Sequence, residues 1–174
     1  MSYINPAPGV ANSQVVLKLE LASATGWSTA LTVPGLTEIT VNAANDVYTW
    51  TQLDSTAKKQ VATTSTNSLS MNIVLDDASF FGSTPGTVDP AAAVAVQGIQ
   101  GLSRNKTKIK FQLKMEDGAN DGSTTTTGDR YLTGIAYVTG LAPKISADAP
   151  VWISPITITV SGEYTVGTAT SDPA

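Results

Sequence analysis

The fold is decided by Thr107–Met115, which reads TKIKFQLKM. Apolar residues occupy every second position of this stretch, at Ile109, Phe111, Leu113 and Met115. Successive side chains of a β-strand point to opposite faces of the sheet, so this period predicts a strand with one face in a core. The other face is expected to be solvated, or to pair with acids of a neighbouring subunit, and it carries Lys108, Lys110, Gln112 and Lys114.

The same two-residue period continues on both sides of that strand. It predicts further strands at residues 13–22, 30–33, 36–42, 68–75, 130–141 and 151–165. The period is interrupted at residues 43–67, which are expected to form one long loop. Loops of this length are uncommon in compact domains and are commonly functional.

One helix is predicted, from Asp89 to about Arg104. Asp89 suits the N-cap, and Pro90 suits the first helical position. Apolar residues then recur at spacings of three and four, at Ala92, Val96, Ile99 and Leu102. The elements together predict a mainly β protein, a two-sheet β-sandwich or partly open barrel with one flanking α-helix and a long loop. The expected organisation is an extended arm at 1–12, a single β domain at 13–166 and a flexible tail at 167–174.

The composition removes several classes of active site. The 174 residues include no His and no Cys, and the formal net charge is −4. The chain therefore has no imidazole base, cysteine nucleophile or thiolate zinc site. The longest mostly apolar stretch, Ala91–Val96, is far shorter than the ~20 residues that span a bilayer, so no membrane partner is expected.

Two pairs of adjacent carboxylates are candidate catalytic groups. Asp76-Asp77 and Glu116-Asp117 are adjacent residues at predicted strand ends, and adjacent strand residues point apart rather than toward one substrate bond. Residues 117–122 have the composition of a calcium loop without its ligand spacing, and they equally fit a hairpin turn. The sequence therefore predicts no catalytic residue, no metal site and no cofactor.

The order of these elements resembles the major tail proteins of long-tailed, non-contractile bacteriophages, the tail tube proteins of the lambda type. The resemblance covers residues 13–166 and departs from that family in the long 117–128 loop. The comparable segments are LTVPGLTEITV at Leu31–Val41, DVYTW at Asp46–Trp50, the strand Ser68–Leu75, the helix from Asp89, KIKF at Lys108–Phe111, RYLTG at Arg130–Gly134 and PITITVSG at Pro155–Gly162.

The resemblance implies a structural role and no enzymatic one. Subunits of that family form rings, usually hexameric, that stack into the tail tube of the virion, and each gives about four strands to a continuous barrel around the lumen. DNA passes through without specific binding during ejection. The resemblance also implies assembly in the host cytoplasm, with tape measure, tail terminator and tail tip proteins as partners.

The implied barrel is wide enough for DNA. About 24 strands spaced ~4.8 Å apart and tilted ~40° close at a radius of about 24 Å, which leaves a bore of about 35–40 Å. Six copies at −4 carry −24 (six times −4), and repulsion from an acidic, hydroxyl-lined wall limits adhesion of DNA. The candidate lumen residues are Glu20, Glu38, Ser68, Ser70, Asp76, Thr157, Thr159, Ser161 and Glu163.

The interrupted segment 43–67 supplies the candidate contacts between rings. Aromatic residues are favoured anchors at interfaces. The candidates are Val47, Tyr48, Trp50 and Leu53. The alternative is that these residues cover the edge of the subunit's own core.

Other functions stay open at this point. The structural alternatives are the inner tube of a contractile tail or type VI secretion apparatus, and a capsid decoration protein. A carbohydrate-binding or adhesin β-sandwich would need aromatic residues in a shallow groove, whereas Trp27, Trp50 and Trp152 lie far apart in sequence. A hydrolase that uses only carboxylates is the remaining alternative.

Overall fold

A computed structural model describes residues 15–51, 57–115, 130–146 and 149–167. The predicted arm at 1–12, the loop around 117–128 and the tail beyond Gly167 lie outside the described residues, as does Leu53. The elements are β1 (Val15–Leu21), β2 (Leu31–Thr32), β3 (Leu36–Thr51), β4 (Lys58–Val74), α1 (Asp77–Phe81), α2 (Val94–Arg104), β5 (Ile109–Met115), β6 (Arg130–Leu141), β7 (Lys144–Ser146), β8 (Ala149–Val160) and β9 (Thr165–Gly167).

Within the described residues, the strands form one antiparallel sheet of nine strands that is not closed into a barrel. Its main path runs β2-β1-β5-β6-β8-β4-β3, with β7 paired to β8 and β9 paired to β6. The mainly β class with an open sheet and few helices is therefore confirmed.

The core lies on the apolar face of this sheet, where the predicted alternation is observed. Ile109, Phe111 and Leu113 of β5 are buried in one cluster with residues of β1, β4, β6, β8 and α2. Gly134 of β6 allows a close approach of its backbone to the Phe111 side chain of β5. A Cβ at that position would stand 2.9 Å from Cε1 of Phe111.

The helical region differs from its prediction at its start. The Asp89 carboxylate accepts a hydrogen bond from the N–H of Ala91 (2.9 Å) and caps a turn, and α2 begins only at Val94. Gly98 interrupts α2 with a φ of 64°, because its backbone packs directly against that of Gly82. Ile99 is buried as predicted, and the helix ends at Arg104 as predicted.

A second helix, α1, occupies residues that were expected to be a strand end and the start of a loop. Its N-cap is Asp76, whose carboxylate accepts hydrogen bonds from the backbone N–H (3.0 Å) and the hydroxyl (2.9 Å) of Ser79. Two aromatic residues at the end of α1, Phe80 and Phe81, stand edge to face with centroids 5.0 Å apart. The sequence pattern did not predict α1, because a five-residue helix is too short to show a helical repeat.

The prediction of a long loop at 43–67 is wrong. Residues 43–51 and 58–67 extend β3 and β4 into one long antiparallel hairpin, with a register shift between Asn45 and Val47. Alternation marks a strand only where one face is buried, and here both faces are exposed. The β-branched and aromatic content of the segment is the signal that was available.

The prediction of a solvated face at Lys108–Lys114 is wrong for Lys110 and Gln112, whereas Lys108 is exposed as predicted. The Lys110 side chain is 2% exposed, lies over the ring of Trp27 and donates from Nζ to the carbonyl of Ala24 (2.7 Å). Residues 22–30 therefore fold back over the β1–β5 end of the sheet. Gln112, one position along the same face, is buried as well.

Candidate assembly surfaces

The outer part of the β3–β4 hairpin, residues 43–51 and 58–66, is here called the ribbon. Beyond the pair Ser68–Thr159 no described residue of β8 continues beside β4, so the ribbon consists of two strands alone. Trp50 is half-buried, and every other residue of the ribbon is exposed. A two-stranded hairpin is marginally stable in water by itself, so this length of regular backbone points to a contact outside the chain.

One side of the ribbon, here called the aromatic side, carries Tyr48 and Trp50. Their rings stack with centroids 5.9 Å apart at 23°. Val61 lies opposite Tyr48, and Lys59 lies opposite Trp50. Tyr48 is 60% exposed. Of the predicted contacts between rings, Tyr48 and Trp50 are therefore brought together, whereas Val47 pairs with Ala62 and is on the other side of the ribbon.

The inner part of the sheet has a face opposite to its core, here called the polar face. The register places Ser68 opposite Thr159, and Ser70 opposite Thr157. Because paired residues share a face, their hydroxyls form one surface. The polar residues of β3, β4 and β8 on this face are Glu38, Thr40 and Asn42 of β3, Ser68, Ser70 and Asn72 of β4, and Thr157 and Thr159 of β8. Their pairing partners Pro155 of β8 and Tyr137 of β6 share the face.

Hydrogen bonds between strands organise the polar face. The Asn42 amide donates to the hydroxyls of Ser68 (3.4 Å) and Ser70 (3.3 Å), and the Asn72 amide donates to the Glu38 carboxylate (2.9 Å). At the β6 border the hydroxyls of Thr139 and Thr159 are 2.8 Å apart. The eight polar residues named for this face include one carboxylate and no cation, so they offer no basic group to a phosphate.

Five of the predicted lumen residues share the polar face, and the other four do not lie on its paired strands. Those that share it are Glu38, Ser68, Ser70, Thr157 and Thr159. Ser161 and Glu163 follow the end of β8 and are exposed. Asp76 caps α1, where hydrogen bonds from the Ser79 hydroxyl and then from the Ser79 backbone lower the pKa of its carboxyl.

Glu20 is the lumen candidate that the structure removes. It is 1% exposed and accepts a hydrogen bond from the Thr29 hydroxyl (2.6 Å). It lies opposite Lys110 in the β1–β5 pairing, under the same segment 22–30 that covers Lys110. A carboxylate covered by its own chain cannot form part of a water-filled wall.

The sequence argument missed three members of the polar face, Thr40, Asn42 and Asn72, together with Thr139 at its border. The available signal was the two-residue period of the strands, because Thr40, Asn42 and Asn72 each lie two residues from another residue of the polar face. Thr139 lies next to a register shift between Val138 and Gly140, which this period alone does not reveal.

A third surface lies at the end of the sheet opposite to the ribbon, and it is here called the end groove. It is a cavity of about 780 Å³ where β4 ends and α1 begins. Trp152 of β8 is 51% exposed there, and its carbonyl accepts a hydrogen bond from the N–H of Leu75 (2.9 Å). The lining is Leu75, Asp77, Phe80, Phe81, Gln100, Leu141, Pro143 and Trp152.

Within the described residues, no cluster of three or more acidic side chains has the arrangement of a metal site. In the same part of the chain, no helix combines the length and apolar character that crossing a membrane requires.

Solved structures with a similar fold are tube components. They include the tail of an empty gene transfer agent particle with C6 symmetry (TM-score 0.59, 14% identity, 90% of this chain and 98% of that chain). The SPP1 tail tube is also similar (TM-score 0.58, 11% identity, 92% of this chain and 81% of that chain). The sheath-tube complex of an extracellular contractile injection system in its extended state is similar as well (TM-score 0.55, 11% identity, 95% of this chain and 95% of that chain). No family model and no curated protein matches the chain. Identities this low show a shared fold.

Proposed function

We propose that this chain is the structural subunit of a tail tube, whose copies assemble into rings that stack into a hollow conduit. The polar face carries the proposal. It is a hydroxyl- and amide-lined surface on an open antiparallel sheet, and the helices lie on the opposite, apolar face. Such a face suits a wetted wall built from β3, β4, β8 and β6. The proposed role is structural rather than catalytic.

The borders of the sheet support lateral assembly. Among the described residues β3 pairs only with β4, and β2 covers only Lys18 and Leu19 of β1. An unpaired strand edge invites pairing with another chain, and neighbouring copies would satisfy these edges in a ring. In this proposal six copies each give four strands to the 24-stranded barrel described above.

The charge of the polar face supports passage of DNA without binding. One carboxylate and no cation leave little attraction for phosphate, so a duplex can move during ejection. We place the tube in the virion tail of a non-contractile bacteriophage, assembled in the host cytoplasm with tape measure, tail terminator and tail tip proteins. The fold shared with a gene transfer agent tail and the SPP1 tail tube supports that placement.

The inner tube of a contractile system is the second candidate. The fold shared with the sheath-tube complex of an injection system supports it. A contractile tube must present its outer surface to a sheath, whereas a non-contractile tail tube is bare. Electron microscopy of the native particle separates the two, because a sheath widens the tail visibly.

Electron microscopy of the purified chain tests the proposal itself. We expect hollow tubes of uniform width, with a bore of about 35–40 Å from the barrel geometry. A chain that stays monomeric at every concentration and ionic strength tried would contradict the proposal. Binding of that monomer to glycans would favour the adhesin reading instead.

Thiol labelling tests which face lines the bore, since the chain has no cysteine of its own. Ser70→Cys lies on the polar face, and Val88→Cys lies in the exposed loop between α1 and α2. A bulky polymer-linked maleimide should label both variants as monomers, but only Val88→Cys in tubes. Labelling of Ser70→Cys at the same rate in tubes would remove the polar face from the lumen.

The ribbon is proposed to make contacts between rings. Trp50→Ala should leave a folded monomer and reduce tube yield and length, because Trp50 lies on the exposed ribbon outside the core. Thr49→Ala, on the other side of the ribbon, is the matched control. Tubes of unchanged length and yield from Trp50→Ala would count against the stacking role.

A further inference from the structure

The ribbon and the end groove lie at opposite ends of a single strand, β4. The ribbon begins the strand, and Leu75 of the groove follows its last residue, Val74. One copy therefore presents a projecting apolar surface at one end and a recessed apolar surface at the other. A contact between two different surfaces of identical subunits is heterologous, and it repeats without limit along an axis.

We infer that the end groove of one copy receives the aromatic side of the ribbon of a second copy. This inference rests on the proposed tube function and names the two surfaces that meet between rings. Exposed apolar patches rimmed by polar groups mark interaction sites, and both surfaces have this character. The groove, at about 780 Å³, falls within the usual range of ligand pockets, which is enough for large aromatic side chains such as Tyr48 and Trp50.

Charge complementarity supports this occupant. The ribbon carries Lys58 and Lys59 on β4 and Asp46 on β3, for a net charge of +1 (two minus one). The groove end carries Asp76 and Asp77 with Lys144 nearby, for a net charge of −1 among its described residues. Hydrogen bonds from Ser79 lower the pKa of Asp76, so that carboxylate stays ionised. Opposite charges at the rim favour register and partner choice.

The pairing also predicts the spacing between rings. The aromatic side is centred near residue 60 of β4 and the groove lies at residue 75, about 50 Å apart at ~3.3 Å per residue. At a strand tilt of ~35–45° this distance projects to about 35–41 Å along the tube axis. Because the ribbon of one copy would meet the groove of the next, the axial repeat should equal this value.

Disulfide trapping in this cysteine-free chain tests the contact. The double variant Val61→Cys/Trp152→Cys cannot cross-link within one copy, because its positions are about 45 Å apart along β4. Oxidised tubes should give a ladder of linear multimers on a non-reducing gel. The matched control Gln60→Cys/Trp152→Cys has its ribbon cysteine on the opposite side, and it should give about tenfold less ladder because disulfides need Cβ atoms ~4 Å apart.

Charge exchange provides a second test. Asp77→Lys should raise the concentration needed for polymerisation about tenfold, and adding Lys59→Asp should restore most of it. The thermal midpoint of each monomer checks that the variants fold. Failure of the second change to restore assembly would overturn the pairing.

The outcomes separate this inference from the proposed function. Tubes with the ladder and an axial repeat of about 35–41 Å support both. Tubes without the ladder overturn the inference and leave the tube function standing. This result would be expected if the segment 1–14 of a neighbouring copy, and not its ribbon, occupies the groove. A wild-type chain that forms no tubes, together with a double-cysteine variant that gives no ladder, overturns both.

Discussion

The inner and outer parts of the β3–β4 hairpin share a continuous ladder but differ in what stabilises them. In the inner part of β4, Leu69, Met71 and Ile73 are buried while the residues between them are half-exposed. In the ribbon both faces are exposed. The difference arises because β8 and the core lie beside the inner part only. Regular backbone thus extends beyond the residues that the chain's own core stabilises, and the outer residues are available to another copy.

The largest expected effect is on the inner part. Leu69→Ala should lower the free energy of unfolding of the monomer by about 2–5 kcal/mol, since the Leu69 side chain is fully buried. Val61→Ala, in the ribbon, should change it by less than about 0.5 kcal/mol because Val61 is 49% exposed. Urea denaturation of both variants measures the difference. Equal losses would mean that the two parts are one cooperative core.

The border between the two parts should show an intermediate effect. Asn67 is buried, and its amide donates to the carbonyl of Gly162 (3.0 Å). Asn67→Ala leaves that carbonyl without its donor and should cost about 1–2 kcal/mol, again by urea denaturation. Its neighbour Thr66 is exposed, so Thr66→Ala is the control and should be nearly neutral. If Asn67→Ala leaves the free energy of unfolding unchanged, the border between the ribbon and the inner part lies closer to Leu69.

A smaller and local effect is expected within the ribbon. Tyr48→Ala removes the stacking on Trp50 and the cross-strand contact with Val61. Such pairs contribute about 0.2–1 kcal/mol, so the global unfolding free energy should hardly move. Hydrogen exchange of the ribbon amides should accelerate while that of the inner strands stays unchanged. Faster exchange throughout the sheet would contradict the division.

The smallest effect is expected at the far end of β4. The lowered pKa of Asp76 means that its ionised form stabilises the fold. This contribution is present above the ordinary value of 3.8 and is lost as the pH falls through the lowered folded pKa. Asp76→Ala should therefore reduce the thermal midpoint slightly at neutral pH, and the difference should vanish in acid. Ser79→Ala removes the hydroxyl that donates to the same carboxylate, so it should show a smaller loss with the same pH dependence. A difference that persisted in strong acid would contradict the capping role.

The sequence was sufficient for the strands that have one buried face and insufficient elsewhere. The two-residue period predicted the bounds of β5 and β6 closely, because the apolar residues at every second position of these strands face the core. It missed the ribbon because no face of it is buried, and the helical pattern missed the interruption of α2 at Gly98 because the backbone contact of Gly98 with Gly82 is not visible in a local pattern.

For the candidate surfaces, the sequence named residues but did not show how they are grouped. Tyr48 and Trp50 were predicted as contact residues together with Val47, and their separation from Val47 depends on the ladder of the hairpin. Glu20 was placed in the lumen because it alternates with apolar residues. Its burial depends on the segment 22–30, and the covering of its cross-strand neighbour Lys110 depends on a contact with Ala24, 86 residues away. Contacts of that range require the whole topology.

The placement of the tryptophans has a practical consequence. Trp27 packs against Lys110 in the segment that covers β1 and β5, Trp50 lies on the ribbon and Trp152 borders the end groove. Each indole therefore reports on a different compartment by its intrinsic fluorescence. Emission from Trp50 and Trp152 should shift to the blue as subunits associate, while that of Trp27 stays constant, so polymerisation can be followed in real time without an added dye.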